Sequence, residues 1–337
     1  MFATLSKSLF LVTLSLTVLS LCSCGGPTES QAAVPTATPS TQPSQPSTPQ
    51  VHIPQDALPV ISAKDSAIFE RFRAKATEEH WQAKPIADII SLTGEFFLGT
   101  PYVGKTLETD YTDALKTNSK ADERLTVNLH EMDCMTFMES VLALARTVRL
   151  GDITLDAFSR QLCLVRYRQG KLDGYASRLH YTSDWIRDNE QLNIARDITL
   201  QIGGSPRNKK RDWMSHHPNL YDALRMDPAL VKDIRREEDR LSQTPFNYIP
   251  RNRIDSSVLS GIRDGDMITF TAEGEGIDYA HVGFARMGDD GILHFMHCSL
   301  TIQHALIDKR SIPGYMSNKK HFDGMAVFRP VDPLTGK

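Results

Sequence analysis

The sequence lacks any excess of basic charge. Its 38 Lys and Arg stand against 41 Asp and Glu, a formal charge of −3 over 337 residues. No positive field gathers a phosphate backbone, which excludes nucleic acid as a partner. The short basic stretch RNKKR (Arg207 to Arg211) and the mixed run KDIRREEDR read as solvated surface. There is no internal repeat, which excludes repeat arrays. There is also no alternation of strand and helix patterns, which argues against a parallel α/β sheet. After the first residues, no apolar run is long enough to span a bilayer. Cysteine is scarce: five in all, at positions 22, 24, 134, 163 and 298.

What the sequence does have begins with an export pattern. Lys7 supplies a weak positive start, and SLFLVTLSLTVLSL is an apolar segment of fitting length. It runs into LCSC, which resembles the lipobox of bacterial lipoproteins. Cys24 fits as the lipidated residue because small Ser23 precedes it, whereas bulky Leu21 precedes Cys22. The resemblance implies a signal peptide over 1–23 and an exported, membrane-anchored lipoprotein on the periplasmic side or in the outer membrane of a bacterial envelope. Residues 24–59, rich in Pro, Ser, Thr and Gln, cannot offset ordering entropy and are expected to be a disordered tether. A folded domain is expected over 60–337. Removing Cys22 and lipidating Cys24 leaves Cys134, Cys163 and Cys298. An odd number means at least one free thiol, with a disulfide between two of them left open.

Within the domain, SAKDSAIFERFRAKA reads as a capped amphipathic helix, and a second helix follows Pro85 and ends before Pro101. A third starts at Asp133 or Cys134, and 155–168 reads as a fourth. The stretch 174–219 mixes turn, aromatic and polar residues and resists assignment. The C-terminal third changes character. GDMITFTA, YAHVGFARM, GILHFMHCSL and GMAVFRPV are short strand-like runs parted by Gly and Asp, with a tight turn at GDDG. Helices first and strands later predict an α+β domain, N-terminal helices packed on a C-terminal antiparallel sheet.

One cysteine occupies a chemically pointed position. In LHEMDCMTFMESVLALA, apolar residues recur at helical spacing from Cys134 onward, so the thiol sits in a helix's first turn. Unpaired N–H groups and the macrodipole there favour a thiolate, although a buried structural cysteine fits the position equally. A cysteine nucleophile needs a base and a third group to orient that base. His281 and His297 lie on consecutive strand runs and can meet on one sheet face. His294, three residues from His297, points to the opposite face from it in a regular strand, so only one of the two can join His281.

GTPYVG, DCMTF opening a helix, GDMITF, AHVGF and FMHCS together resemble the ordered motifs of the NlpC/P60 cysteine peptidases, a papain-like fold. MDCMTFMES, YASRLHYTSDWI and FNYIP more narrowly resemble the DUF1460 family of N-acetylmuramoyl-L-alanine amidases. The resemblance implies that Cys134 is the nucleophile, His281 the general base and His297 the third member. It implies a thioester intermediate, muropeptide substrates, and no cofactor or metal. Two features depart from the broader pattern. Cys298 follows His297 where Ala is typical, and Met135–Thr136 follow the nucleophile in place of Ser-Gly. The insertion over 151–260 exceeds a minimal domain and is expected to build the substrate pocket.

The candidate substrate-binding residues are Tyr102, Ser177, Arg178, His180, Tyr181, Trp185 and Asp278. They combine a guanidinium with aromatic surfaces suited to sugars, and Asp278 reads as a turn cap or as an acid able to meet an amine. Other readings stand beside this one. A stem-peptide endopeptidase would use the same thiol, and a surface lipoprotein that only binds muropeptides would need no triad. A zinc site from His281, His294, His297 and Cys298 leaves Cys134 unexplained.

Overall fold

A computed structural model describes residues 50–336. The helical patterns of the N-terminal half become a layer led by α1 (Ala63–Glu78), α2 (Ile86–Phe96), α3 (Thr109–Thr117), α4 (Cys134–Leu150), α5 (Leu155–Arg166) and α6 (Thr182–Gln191). Local chemistry sets several of the ends. Ser62 accepts the Asp65 N–H at 3.0 Å and starts α1. Asp133 and Thr136 form a reciprocal capping box that starts α4 at Cys134. Such caps contribute about 1 kcal/mol each. Gly151 ends α4 at φ +86, a left-handed conformation that glycine adopts without steric cost.

Two of these helices were not evident in the sequence. α3 has few apolar residues, and α6 buries Ser183, Asp184, Asp188 and Asn189 beside Trp185 and Ile186, so its inner face is not written in hydrophobic periodicity. The insertion continues through β1 (Ala195–Asp197), β2 (Ser205–Arg207), α7 (Trp213–His216), α8 (Asp222–Met226) and α9 (Leu230–Ser242). It leads into β3 (Phe246–Pro250), α10 (Ser256–Ser260), β4 (Met267–Ala272), β5 (Tyr279–Met287) and β6 (Leu293–Ser299). The chain closes with β7 (His304–Ser311), α11 (Ile312–Ser317) and β8 (Phe322–Pro330).

The strands form one eight-stranded sheet in the order β2-β3-β8-β4-β5-β6-β7, with β1 pairing to β8, and the paired strands run antiparallel. This is a mixed α+β architecture. Strand alternation divides two cores. Met267, Val282, Phe284, Met296, Cys298 and Phe328 join the core that contains α4. Ile268, Phe270, Phe295, Met325 and Val327 join a second, with Ile312 and Tyr315 of α11. A third cluster, including Tyr111, Tyr175, Tyr181, Met214 and Leu241, holds the insertion together.

The tether boundary needs correction. Residues 50–59 belong to the folded unit. The His52 N–H donates to Gly170 O, the Leu172 N–H donates to His52 O, and the Leu125 N–H donates to Ala57 O. Ala57 is buried, and Val51 and Ile53 pack against the main core. The composition of 24–59 is uniformly polar and Pro-rich up to about residue 49, and the last ten residues carry the apolar anchors. Cys24 and the export pattern lie outside the described residues. Trimming to residue 50 should leave stability unchanged. Trimming to residue 60 should cost about 1–3 kcal/mol from lost apolar burial, read as a lower urea midpoint. Equal midpoints for the two would reject this packing.

Candidate active site

The capping box places Cys134 at the first helical position of α4, with the thiol half-buried. From there α4 dives into the core, and its residues from Thr136 to Val148 are all buried. Cys134 therefore stands where the helix emerges, against the backbone of β5, and the Val282 N–H favours its thiolate.

On the neighbouring strands, His281 Nε2 lies 2.7 Å from His297 Nδ1, with the two rings nearly perpendicular. The hairpin register explains the meeting. Phe284 faces Met296 and Ala285 faces Phe295 across β5 and β6, so Gly283 stands over His297. A Cβ at position 283 would lie 2.8 Å from His297 Cβ and 2.5 Å from Met296 O. Only a hydrogen there leaves room for the imidazole to cross to His281. His294 takes a different course: its Nδ1 faces the carbonyls of Asp308 and Arg310, and its Nε2 faces Asp290. Among the described residues no group of three or more His, Cys, Asp or Glu is arranged to hold a metal ion.

The electrostatics correct one expectation. Burial, followed by the neighbouring Asp133 carboxylate, pushes the Cys134 thiol up to about 12, against the pull of the Val282 and Cys134 N–H groups. Desolvation here opposes the helix start and favours the protonated sulfur. Both imidazoles are held neutral too. Burial and the His297, Lys319 and His321 charges depress His281 well below its ordinary value. Burial brings His297 to about 4, with the Asp308 carboxylate opposing. Among the described residues the His281 Nδ1 has no hydrogen-bond partner, so the pair leaves that nitrogen free.

Tyr102 belongs to this neighbourhood. It bridges to Met132, and burial, Cys134 and Asp133 raise its phenol above the ordinary range, which keeps it a neutral donor. Cys298 lies beneath, donating to Met132 O at 3.2 Å, and its thiol is pushed up to about 12 by burial. Cys134, Cys163 and Cys298 are all free.

Beside the α4 start is a cavity of about 220 Å³, lined by Asp133 and Met135 of α4, Lys105 and Glu108, Arg178 and His180, and Tyr221. A larger depression of about 960 Å³ sits near Arg149 and Gly151 at the opposite end of the helix, roughly 25 Å away. The YASRLHYTSDW stretch therefore reaches the site, but several of its residues do not present themselves as expected. Trp185 is fully buried in the main core. Tyr181 is buried, its hydroxyl donating to Glu238 and accepting the Met214 N–H. Neither offers a face for a sugar. Ser177 closes a local turn with Gly174 and Asp173. Asp278 is buried and accepts the Ser183 and Tyr279 N–H groups, so it caps α6 and meets no amine.

Arg178 lines the cavity yet is already engaged. It donates to Glu108 at 2.6 Å, lies 3.3 Å from Glu123 and covers the Tyr175 ring. His180 points its Nε2 at Tyr175 O and is held neutral by burial and by Arg178. Lys105, Glu108 and Tyr221 were not singled out from sequence. For Glu139, which pairs with Arg166, the signal was an acid at a position that the helical periodicity of α4 assigns to the interior; Glu108, which pairs with Arg178, carried none. Lys105 and Tyr221 carried none, since only folding brings their loops together.

The buried imidazoles make stability pH-dependent. His297 is depressed from its unfolded value near 6.5 to about 4. Its contribution is complete above pH 6.5 and is lost as pH falls toward 4, because the unfolded chain takes the proton first. His297→Asn should remove about one proton from the pH slope of urea unfolding between pH 6.5 and 4. An unchanged slope would contradict the burial of a neutral ring.

The family model described as N-acetylmuramoyl-L-alanine amidase-like matches residues 92–325. A crystal structure of an N-acetylmuramoyl-L-alanine amidase from Bacteroides uniformis superposes with a TM-score of 0.66 at 31% identity, covering 73% of this chain and 98% of that one. A Bacteroides fragilis structure described as a candidate xylanase gives 0.64 at 33% identity, covering 71% and 99%. A Legionella pneumophila protein of the DUF1460 family shares the fold, at a TM-score of 0.58 and 21% identity over 79% and 94%. No curated protein sequence matches. The match over 92–325, spanning both the thiol helix and the histidine hairpin, makes this chain a member of the N-acetylmuramoyl-L-alanine amidase-like family.

Proposed function

We propose that the chain hydrolyses the amide between the lactyl group of N-acetylmuramic acid and L-alanine in small muropeptides, through a Cys134 thioester, on a papain-like NlpC/P60 scaffold. One observation carries the reading: a helix-start thiol lies against the β5 backbone at Val282, the residue after His281, and the His281 ring stands 2.7 Å from His297 with its outer nitrogen unoccupied. The Bacteroides uniformis amidase at 31% identity supports the substrate class.

The resting thiol and imidazole are both neutral, so attack and proton transfer belong to one step. His281 Nδ1 takes the thiol proton as sulfur adds to the lactyl carbonyl. The resulting imidazolium donates through Nε2 to His297 Nδ1. The oxyanion meets backbone N–H groups at the α4 start and the neutral Tyr102 phenol. A single preorganised donor of this kind contributes about 2.7–4 kcal/mol elsewhere. His281 returns the proton to the leaving amine, releasing a stem peptide with free L-alanine. Water then hydrolyses the thioester and leaves a lactyl carboxylate on the sugar.

The acids around the cavity are committed: Glu108 to Arg178, Glu139 to Arg166, and Asp133 to the α4 cap. That argues against a glycosidase, which needs two free carboxyl groups across a bond. Asp278, being a buried cap, is not free to grip a stem amine as an endopeptidase would require. The export reading stays with this proposal: Cys24 would carry the lipid that tethers the domain to an envelope membrane. Among the described residues no helix is long and apolar enough to cross one.

Cys134→Ala and His281→Ala should each lower kcat/KM by about 10³-fold or more, with His297→Ala close behind and His294→Ala much milder. Mass analysis of products from a defined muropeptide should find the intact stem peptide and the free amino sugar. Efficient cleavage of a sugar-free stem peptide would replace the amidase with an endopeptidase and keep the thiol mechanism. Labelling by a fatty-acid analogue should depend on Cys24 and persist without Cys22. Secretion without lipid would defeat the anchor.

A further inference from the structure

The His281–His297 pair leaves one polar atom unexplained. His297 Nε2 is buried and has no hydrogen-bond partner, in a ring that is 1% exposed. Buried imidazole nitrogens are nearly always satisfied, and an unsatisfied one points to a partner, often water. The group nearest in chemistry is Asp308. On β7 it stands directly opposite Phe295, while Leu306 stands opposite His297. Asp308 is therefore on the same sheet face as His297, one diagonal step along the ladder, where neighbouring residues are about 7–8 Å apart and their Cβ atoms somewhat closer. That separation suits one bridging water between carboxylate and ring. The carboxylate is buried and fixed. Arg310 donates to it through its backbone N–H at 2.9 Å, Nε at 2.9 Å and Nη2 at 2.7 Å.

We infer that Asp308 is a positioning residue that sets the tautomer of His297, and through it that of His281, by accepting the His297 Nε2–H through a water. This rests on the reading of His281 as the base. With the proton on His297 Nε2, its Nδ1 is a lone-pair acceptor. His281 must then present Nε2–H to it, and the His281 Nδ1 lone pair is left for the thiol. The opposite tautomer of His297 would place a proton on Nδ1, turn His281 around and put its proton where the base is needed.

The surroundings fit a fixed carboxylate. The groups facing His297 are the Cys298 backbone next to it, His281 from β5, Asp308 and Arg310 from β7, Tyr315 of α11, and Lys319 just beyond it. Phe295 stacks on the ring with centroids 4.6 Å apart. Arg310 and Lys319 both lie over Tyr315, at 5.3 and 5.7 Å, so of these neighbours Asp308 is the one carboxylate able to accept. The mutual influence of Asp308 and His297 runs in the same direction, lowering the acid and opposing the depression of the ring.

The test is the tautomer itself. Nitrogen-15 NMR of the histidine-labelled full chain should read His297 as Nε2–H in the wild type. In Asp308→Asn the carbonyl stays with the donors of Arg310 and the amide N–H turns toward the water, so His297 should switch to Nδ1–H. The same variant should lose kcat by about 10²- to 10⁴-fold, the range an orienting acid commands in related triads, with KM within about twofold. A residue that only braced the fold would move stability and leave the ring shifts alone. A wild-type His297 read as Nδ1–H overturns the inference, and needs no variant to fold. An Nε2–H tautomer that survives Asp308→Asn overturns it as well, whatever happens to turnover. Because the spectra do not depend on substrate, failure of the wild type to cleave muropeptides would strike the amidase reading separately.

Discussion

The docking of α4 onto β5 and β6 governs the geometry of the site. Strand alternation sends Val282, Phe284, Met296 and Cys298 toward the helix and His297 and Phe295 to the opposite face. Thiol and imidazoles thus come from different layers of the molecule. The helix start meets the strand at Val282, the residue after His281, where Cys134 touches the β5 backbone. The buried length of α4 fixes this contact, because sliding the helix by one residue would unseat every side chain from Thr136 to Val148. A short reacting group is held in place by a long apolar interface.

Beneath the candidate cavity lies a set of buried charges. Arg178 lies between Glu108 and Glu123, and Arg166 bridges Glu139 to the Thr126 carbonyl. Tyr111 and Tyr167 complete the satisfaction of Glu123. Pairs this buried add little net stability, since desolvation consumes most of the attraction, but losing one partner strands a charge in the core. Their effect is to join α3, α4, α5 and the insertion into one wall with a defined shape. A cavity bounded by such a wall cannot readily repack around a different ligand.

The site is also quiet at rest. Desolvation raises the thiol and lowers both histidines, which favours the neutral form of all three; in the proposed reaction, charge arises only as the carbonyl accepts the sulfur. A low-dielectric setting makes each donor aimed at that charge count for more.

Much of this could be read from residue order. The start of α4 at Cys134 followed from a capping box and an apolar period, both local, and the strand runs of β4, β5, β6 and β8 followed from alternation and turns. That only one of His294 and His297 can face His281 followed from the two-residue period of a strand, and folding chose His297. Other features were illegible for a physical reason. Trp185, Tyr181 and Asp278 have side chains suited to ligands, and only the packing of α6 against the core and the insertion turned them inward. The reach of the fold into 50–59 depended on partners near Gly170 and Leu125, more than sixty residues away. The sequence by itself determined the elements and the chemical types at their ends, because those are set by neighbours within a few residues. Tertiary structure alone decided which polar groups are spent on each other and which remain free, because desolvation and pairing depend on what folding brings from the far parts of the chain.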